Sequence, residues 1–217
     1  LVFGRGFGQP AGSRPHPCDV DAVSGASFAI GRELWARLGG FEERLFMYYE
    51  ETDLSWRARG AGYRCRYAPA STALHDYRPS APSAGRLYCS FRNRALLLLR
   101  NWQPATLLLL APALLLAELL EWGQALSQGR LGLRAKLRSW RWLATHPGQV
   151  RRLRAAAQGQ RQVSDAALLA AMNARVQPVE GAYHPALRAL IGAANLLFRL
   201  NRQVALWLLT AARKPSP

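Results

Sequence analysis

At 217 residues the chain has room for one domain with a real core, or for a domain and an appendage. Its 29 Lys+Arg against 13 Asp+Glu give a net charge of +16, which calls for an anionic partner, phospholipid or nucleic acid. Three scattered cysteines (Cys18, Cys65, Cys89), with no CxxC and no histidine at ligand spacing, exclude a disulfide scaffold and a zinc site.

The charge is unevenly placed. Residues 1–76 hold 9 Lys+Arg and 9 Asp+Glu, whereas residues 77–217 hold 20 and 4, so the whole excess sits in the second part. Composition shifts there too, toward Leu, Ala, Arg and Trp. Two regions with different jobs are expected, 1–85 and 86–217. The sequence opens at Leu1 with no signal-peptide pattern, which reads as a fragment of a longer chain.

Taken in order, residues 1–18 are rich in Gly, Pro and Arg and read as a loop or weakly ordered arm. "DVDAVSGASFAIG" predicts strand-like pieces at 20–24 and 26–30, with a turn or close backbone approach at Gly25. "RELWARLGG" predicts a short helix with an apolar stripe of Leu34, Trp35 and Leu38, stopped by Gly39-Gly40. A second helix is expected from about Glu50 to Arg59, closed by Gly60 and Gly62. "YRCRYAP" suits a strand ending at Pro69, and "STALH" a further one.

From 86 onward the pattern is helical. Residues 105–120, sixteen in all, are the most apolar run, interrupted by Pro112 and Glu118. The run is shorter than the ~20 residues of a spanning helix. Arginines flank it on both sides, so no charge bias orients it. A helix lying in or dipping into a membrane interface fits better than a clean span, with a core helix under a soluble domain as the alternative. Residues 134–162 are Arg-rich with Trp140 and Trp142 interleaved. Residues 185–213 are apolar and carry Arg188, Arg199, Arg202, Arg213 and Trp207.

The feature that departs from the basic background is "YYEETD". Five of the 13 carboxylates (Glu42, Glu43, Glu50, Glu51, Asp53) fall within twelve residues. Helix capping accounts for acids at a helix start, and Asp53 can pair with Arg57 at i,i+4. A chemical role needs more than the acids. Phe46, Met47, Tyr48 and Tyr49 run directly into the cluster. Aromatic shielding and like charge both raise a carboxylate's pKa, as a general base requires.

The span from Ser24 to His75 as a whole resembles the C-terminal half of the catalytic domain of family 2 glycosyltransferases. These are GT-A-fold enzymes, with rhamnosyltransferase-type members acting in bacterial cell-surface polysaccharide synthesis. The matching elements are Ser24-Gly25-Ala26, the Gly39–Glu43 turn, the Phe46–Leu54 helix start, Arg57, a glycine, and a strand ending in histidine. "FRNRALLLLRN" is similar to the segment that follows. The resemblance covers roughly residues 1–100, and more loosely the basic region to about 170.

It implies an inverting sugar transfer from a nucleotide-diphospho-sugar donor to a hydroxyl of a polyprenyl-linked or other glycan acceptor, at the cytoplasmic face of a bacterial plasma membrane. Glu51 would be the general base. Gly25, Ala26, Tyr49, Glu50, Asp53 and Arg57 would line the acceptor pocket. His75 would be a ligand of Mg²⁺ or Mn²⁺. The fold implied is α/β, the acceptor-side half of a GT-A domain, followed by a mostly α-helical, membrane-associating region. The family's nucleotide-binding half and its Asp-x-Asp have no counterpart here. Asp19–Asp21 is the only D-x-D, and it stands immediately before the acceptor half. The 217 residues by themselves are therefore expected to be inactive.

Two rival readings carry no catalysis. A nucleic-acid-binding protein would explain +16, but the arginines sit among leucines, lysine is nearly absent, and no recognised nucleic-acid motif appears. Nucleic acid is therefore not an expected partner. A membrane tether docking to an anionic surface explains the second part and leaves residues 1–76 without a role.

Overall fold

The computed structural model describes residues 14–76, 81, 83–172, 174 and 185–211. The arm expected over 1–18 falls mostly outside them, as do Arg213 and the side chain of Arg188. Two short strands and nine helices are formed among the described residues. β1 (Cys18–Val20) pairs antiparallel with β2 (Cys65–Tyr67), with Cys18 opposite Tyr67 and Val20 opposite Cys65. The helices are α1 (Arg32–Leu38), α2 (Glu50–Gly60), α3 (Ala84–Asn101), α4 (Pro104–Leu109), α5 (Ala111–Ser127), α6 (Gly129–Thr145), α7 (Pro147–Gly159), α8 (Asp165–Ala171) and α9 (Pro185–Ala211).

α1 and α2 fall where the apolar spacing and the glycines place them. Gly39 ends α1 in the left-handed conformation, φ 75°; its N–H donates to the Ala36 carbonyl and that of Gly40 to the Trp35 carbonyl. β2 also forms as expected. The strands expected at 20–24, 26–30 and 71–75 do not: only Cys18–Val20 finds a partner. Beyond Val20 the chain is tied to α2 instead, with Val23 N–H donating to Ser55 Oγ (3.1 Å). Phe28 and Ile30 pack beside Leu34 and Trp35 on Leu38, Leu54, Ala58 and Ala61. Part of the fold expectation holds: from α3 onward the described chain is helical, while the strands before it are fewer and shorter than expected. The described chain is predominantly helical with one two-stranded antiparallel sheet.

The apolar run 105–120 is also not one helix. It divides at Leu110 into α4 and α5, because Pro112 has no N–H and its ring would clash with the carbonyl four residues back. Pro104 and Pro112 both sit in the first turn of their helices, where the missing N–H costs nothing. No helix among the described residues is long and apolar enough to cross a membrane.

α3 is the organising element, packing on α2, α6 and α7. Trp56 of α2 joins Leu97 of α3, Trp102, Leu168 and Leu169 of α8 and Ala205 of α9 in one core. Trp56 and Trp102 meet edge to face, ring centres 5.7 Å apart. That core takes residues from both sides of the boundary expected at 85. α5 and α6 pack closely because Gly132 has no side chain; a β-carbon there would run into the Ala125 carbonyl.

Candidate functional site

The acidic cluster forms the first turn of α2, with Glu50, Glu51 and Asp53 near its exposed N–H groups. No side chain caps this end. The residue before the helix, Tyr49, is left-handed (φ 71°), as are Phe46 (φ 57°) and Tyr48 (φ 68°). Three non-glycine residues in that region within four positions cost about 1–3 kcal/mol each, and persist only where the surroundings fix them.

Asn93 of α3 supplies that fixing. It has no exposed surface, and its Nδ2 donates to the carbonyls of Leu45 (2.7 Å), Met47 (2.8 Å) and Tyr48 (2.9 Å). Its Oδ1 accepts from Arg92 Nε (2.9 Å), which sets the direction of the amide. Arg92 also donates to the Arg44 carbonyl and stacks over the Tyr88 and Trp142 rings.

The three neighbouring acids have separate environments. Glu51 is half-buried, and burial pushes its carboxyl up from the ordinary value of 4.5; the nearby Glu50 charge adds to the rise, while hydrogen bonds from Thr52 and the local backbone oppose it. Gly25 faces it: a β-carbon at position 25 would lie 3.7 Å from Glu51 Oε2. Ala26 is exposed beside it. Glu50 is half-buried, and its Oε2 has no hydrogen-bond partner among the described residues.

Asp53 is in the core, with no exposed surface. It receives Arg57 Nε (2.8 Å), Arg100 Nη1 (2.9 Å) and Asn101 Nδ2 (3.0 Å). Arg57 is likewise buried and donates to the Leu38 (2.5 Å) and Gly40 (2.7 Å) carbonyls, fastening α1 to α2. Every polar atom of Asp53 is thus committed to the scaffold, and a direct acceptor contact for Asp53 or Arg57 does not fit this placement. Tyr49 also turns inward and packs against the Trp56–Trp102 core. Burial, then the Glu121 charge, push its phenol up to about 12, against the pull of Arg94 and Ser90. The aromatics that face outward are Phe46 and Tyr48, 80% and 43% exposed.

A second buried polar group lies behind Tyr49. Lys136 Nζ of α6 bonds Glu118 (2.7 Å) and Glu121 (2.6 Å) of α5, and Arg94 of α3 pairs with the same two carboxylates. Burial raises the Glu118 carboxyl, but Lys136, Trp140 and Arg94 outweigh it and hold the group below the ordinary range.

His75 is exposed in a segment without regular structure. No group of three His, Cys, Asp or Glu side chains that could hold a metal occurs among the described residues. The described residues therefore do not make up a divalent-metal site, and no chemical step is assigned to one. The partners Asn93, Arg100 and Asn101 stand more than forty residues from the cluster in sequence, beyond the reach of local spacing. Their signal was polar residues placed on the buried stripe of a Leu-rich helix, with the acids of α2 as the unmatched counterpart.

No protein-family model matches the chain, and no solved structure matches it. Among curated proteins, the N-acetylglucosaminyl-diphospho-decaprenol L-rhamnosyltransferase of Mycobacterium tuberculosis is 38% identical over 72 residues, 33% of this chain and 22% of that protein. The low-salt glycan biosynthesis hexosyltransferase Agl10 of Haloferax volcanii is 30% identical over 80 residues, 36% of this chain and 26% of that protein. The matches thus span about a quarter or less of those relatives. In that part the chain is similar to glycosyltransferases.

Proposed function

We propose that the chain is the acceptor-side part of an inverting family 2 glycosyltransferase with a GT-A fold. Glu51 is its general base. The carrying observation is the approach of a half-buried Glu51, its carboxyl pushed up by burial, to the bare glycine backbone at Gly25, while the neighbouring Asp53 is consumed by the scaffold. The two partial likenesses to sugar transferases support the reaction class.

The chemistry follows from the nucleophile. A sugar hydroxyl is a weak one, so removing its proton as the new bond forms lowers the barrier. The acceptor oxygen bonds to the donor's anomeric carbon, the bond from that carbon to the diphosphate oxygen breaks, the nucleoside diphosphate leaves, and the proton passes to Glu51. The acceptor lies over Gly25 and Ala26, with Glu50 beside it. A divalent ion that neutralises the leaving diphosphate would need most of its ligands from outside the described residues, with His75 offering one imidazole.

The acceptor proposed is a polyprenyl-diphosphate-linked sugar, the class named for the mycobacterial relative. An anionic membrane surface, at the cytoplasmic face, belongs to the same proposal. Supporting it, Arg130, Arg134, Arg138 and Arg141 form one exposed stripe of α6, opposite the buried Gly132, Ala135, Lys136 and Ser139. No carboxylate among the described residues pairs with them, and Leu137 and Trp140 are exposed on the same helix.

The test is transfer by the full-length protein from radiolabelled nucleotide sugars to a polyprenyl-diphospho-N-acetylglucosamine acceptor. A labelled lipid product with inverted anomeric configuration supports the reading. Absence of product across the nucleotide-sugar panel contradicts it.

A further inference from the structure

We propose that Asn93 is a positioning residue of the site, acting through the 45–49 loop on Glu51; the inference rests on the proposed role of Glu51. Three carbonyls from four consecutive residues converge on one amide. Neither a strand nor a helix points its carbonyls this way. The chain achieves it by turning left-handed at Phe46 and Tyr48. Without Asn93 the partly buried Met47 and Tyr48 carbonyls lose this donor and the buried Leu45 carbonyl loses one of its donors, at a cost that favours relaxing the loop.

The consequence reaches the acid through a short path. Tyr49 follows the clamped segment and is the last residue before α2, and Asp53 N–H donates to its carbonyl (2.8 Å). The orientation of the first turn of α2, and so of Glu51 against Gly25, is set by where Tyr48 and Tyr49 are held. α3 is a suitable anchor because it is packed on both α6 and α7. The amide cannot reverse freely: Arg92 Nε would then face the NH₂ group instead of Oδ1. The clamp also explains why Phe46 and Tyr48 stay outward while Tyr49 goes in.

The experiment compares the full-length protein with Asn93→Ala by hydrogen exchange and by steady-state kinetics. The expected result is exchange about tenfold faster across residues 44–53, with α6 and α7 unchanged. In the kinetic arm kcat falls by about 10²-fold and the acceptor KM stays within about twofold. Unchanged loop exchange, or acceleration spread evenly over the chain, overturns the proposal, as does a raised KM with kcat intact. If Asn93→Ala does not fold, Arg92→Lys carries the same test, since it keeps the charge and releases the amide. Absence of sugar transfer by the unsubstituted protein would remove the function reading alone, because the exchange arm needs no activity.

Discussion

A β-carbon on residue 25 would lie 3.7 Å from the Glu51 carboxylate, which is ordinary van der Waals contact. Alanine therefore fits without strain, and its methyl would cover one side of the acid. Gly25→Ala is expected to keep the stability of the protein within about 0.5 kcal/mol, since the position is exposed. Gly25→Val is expected to keep the fold and lower transfer at least about tenfold. Thermal melts with the transfer assay check both; full activity of Gly25→Val would place the acceptor elsewhere.

Asp53 answers two arginines and an asparagine with no exposed surface. Asp53→Ala leaves Arg57 and Arg100 buried without that carboxylate, and is expected to cost about 3–5 kcal/mol in urea unfolding. An intact fold with weakened acceptor binding would instead make Asp53 a pocket residue.

This division of labour among neighbouring acids marks what the sequence could and could not yield. α1 and α2 were legible because apolar spacing and paired glycines are local signals. Glu51 stands out in the sequence only through a pattern spread over fifty residues, and the structure adds its partial burial and its approach to Gly25. The core role of Asp53 was only half visible: Arg57 stands four residues away, but Arg100 and Asn101 stand 47 and 48 away. The same distance hid Asn93. The false strands at 26–30 and 71–75 arose because apolar alternation reports burial on one face, whereas a strand also needs a partner edge, which the described chain gives only to Cys18–Val20.

Lys136, Glu118, Glu121 and Arg94 form a buried two-plus-two charge set between α3, α5 and α6. Lys136→Met is expected to destabilise by about 3–5 kcal/mol at neutral pH, leaving two acids to one arginine. The pH dependence has a definite sign. Glu118 is held below its ordinary 4.5, so its contribution is present above that value and is lost as the pH falls through the depressed one. Unfolding of Glu118→Gln across pH 3–7 checks this: the variant should be less stable at pH 7 and converge with the parent in acid. A constant difference would contradict the assignment.

The α6 arginine stripe makes a quantitative claim on membranes. Each arginine near an anionic surface contributes about 1 kcal/mol. Replacing Arg130, Arg134, Arg138 and Arg141 by serine is expected to lower partition onto phosphatidylglycerol vesicles by about 10²-fold or more at low salt. Co-sedimentation of the full-length protein checks it. Unchanged partition, or equal binding to neutral phosphatidylcholine vesicles, would rule out this face.

The raised Glu51 carboxyl sets the sign of a stability effect. A carboxyl raised above its unfolded value favours folding most at low pH and least once it ionises. Glu51→Gln should therefore be more stable than the parent at pH 7, with the advantage vanishing below pH 4.5, which urea titrations at the two pH values will show.

The most direct test is the rate of sugar transfer by full-length Glu51→Gln at saturating donor and acceptor, with the fold verified by circular dichroism. A loss of about 10²–10⁴-fold in kcat is the result expected for removal of a general base. Transfer at the unsubstituted rate would contradict the catalytic role of Glu51.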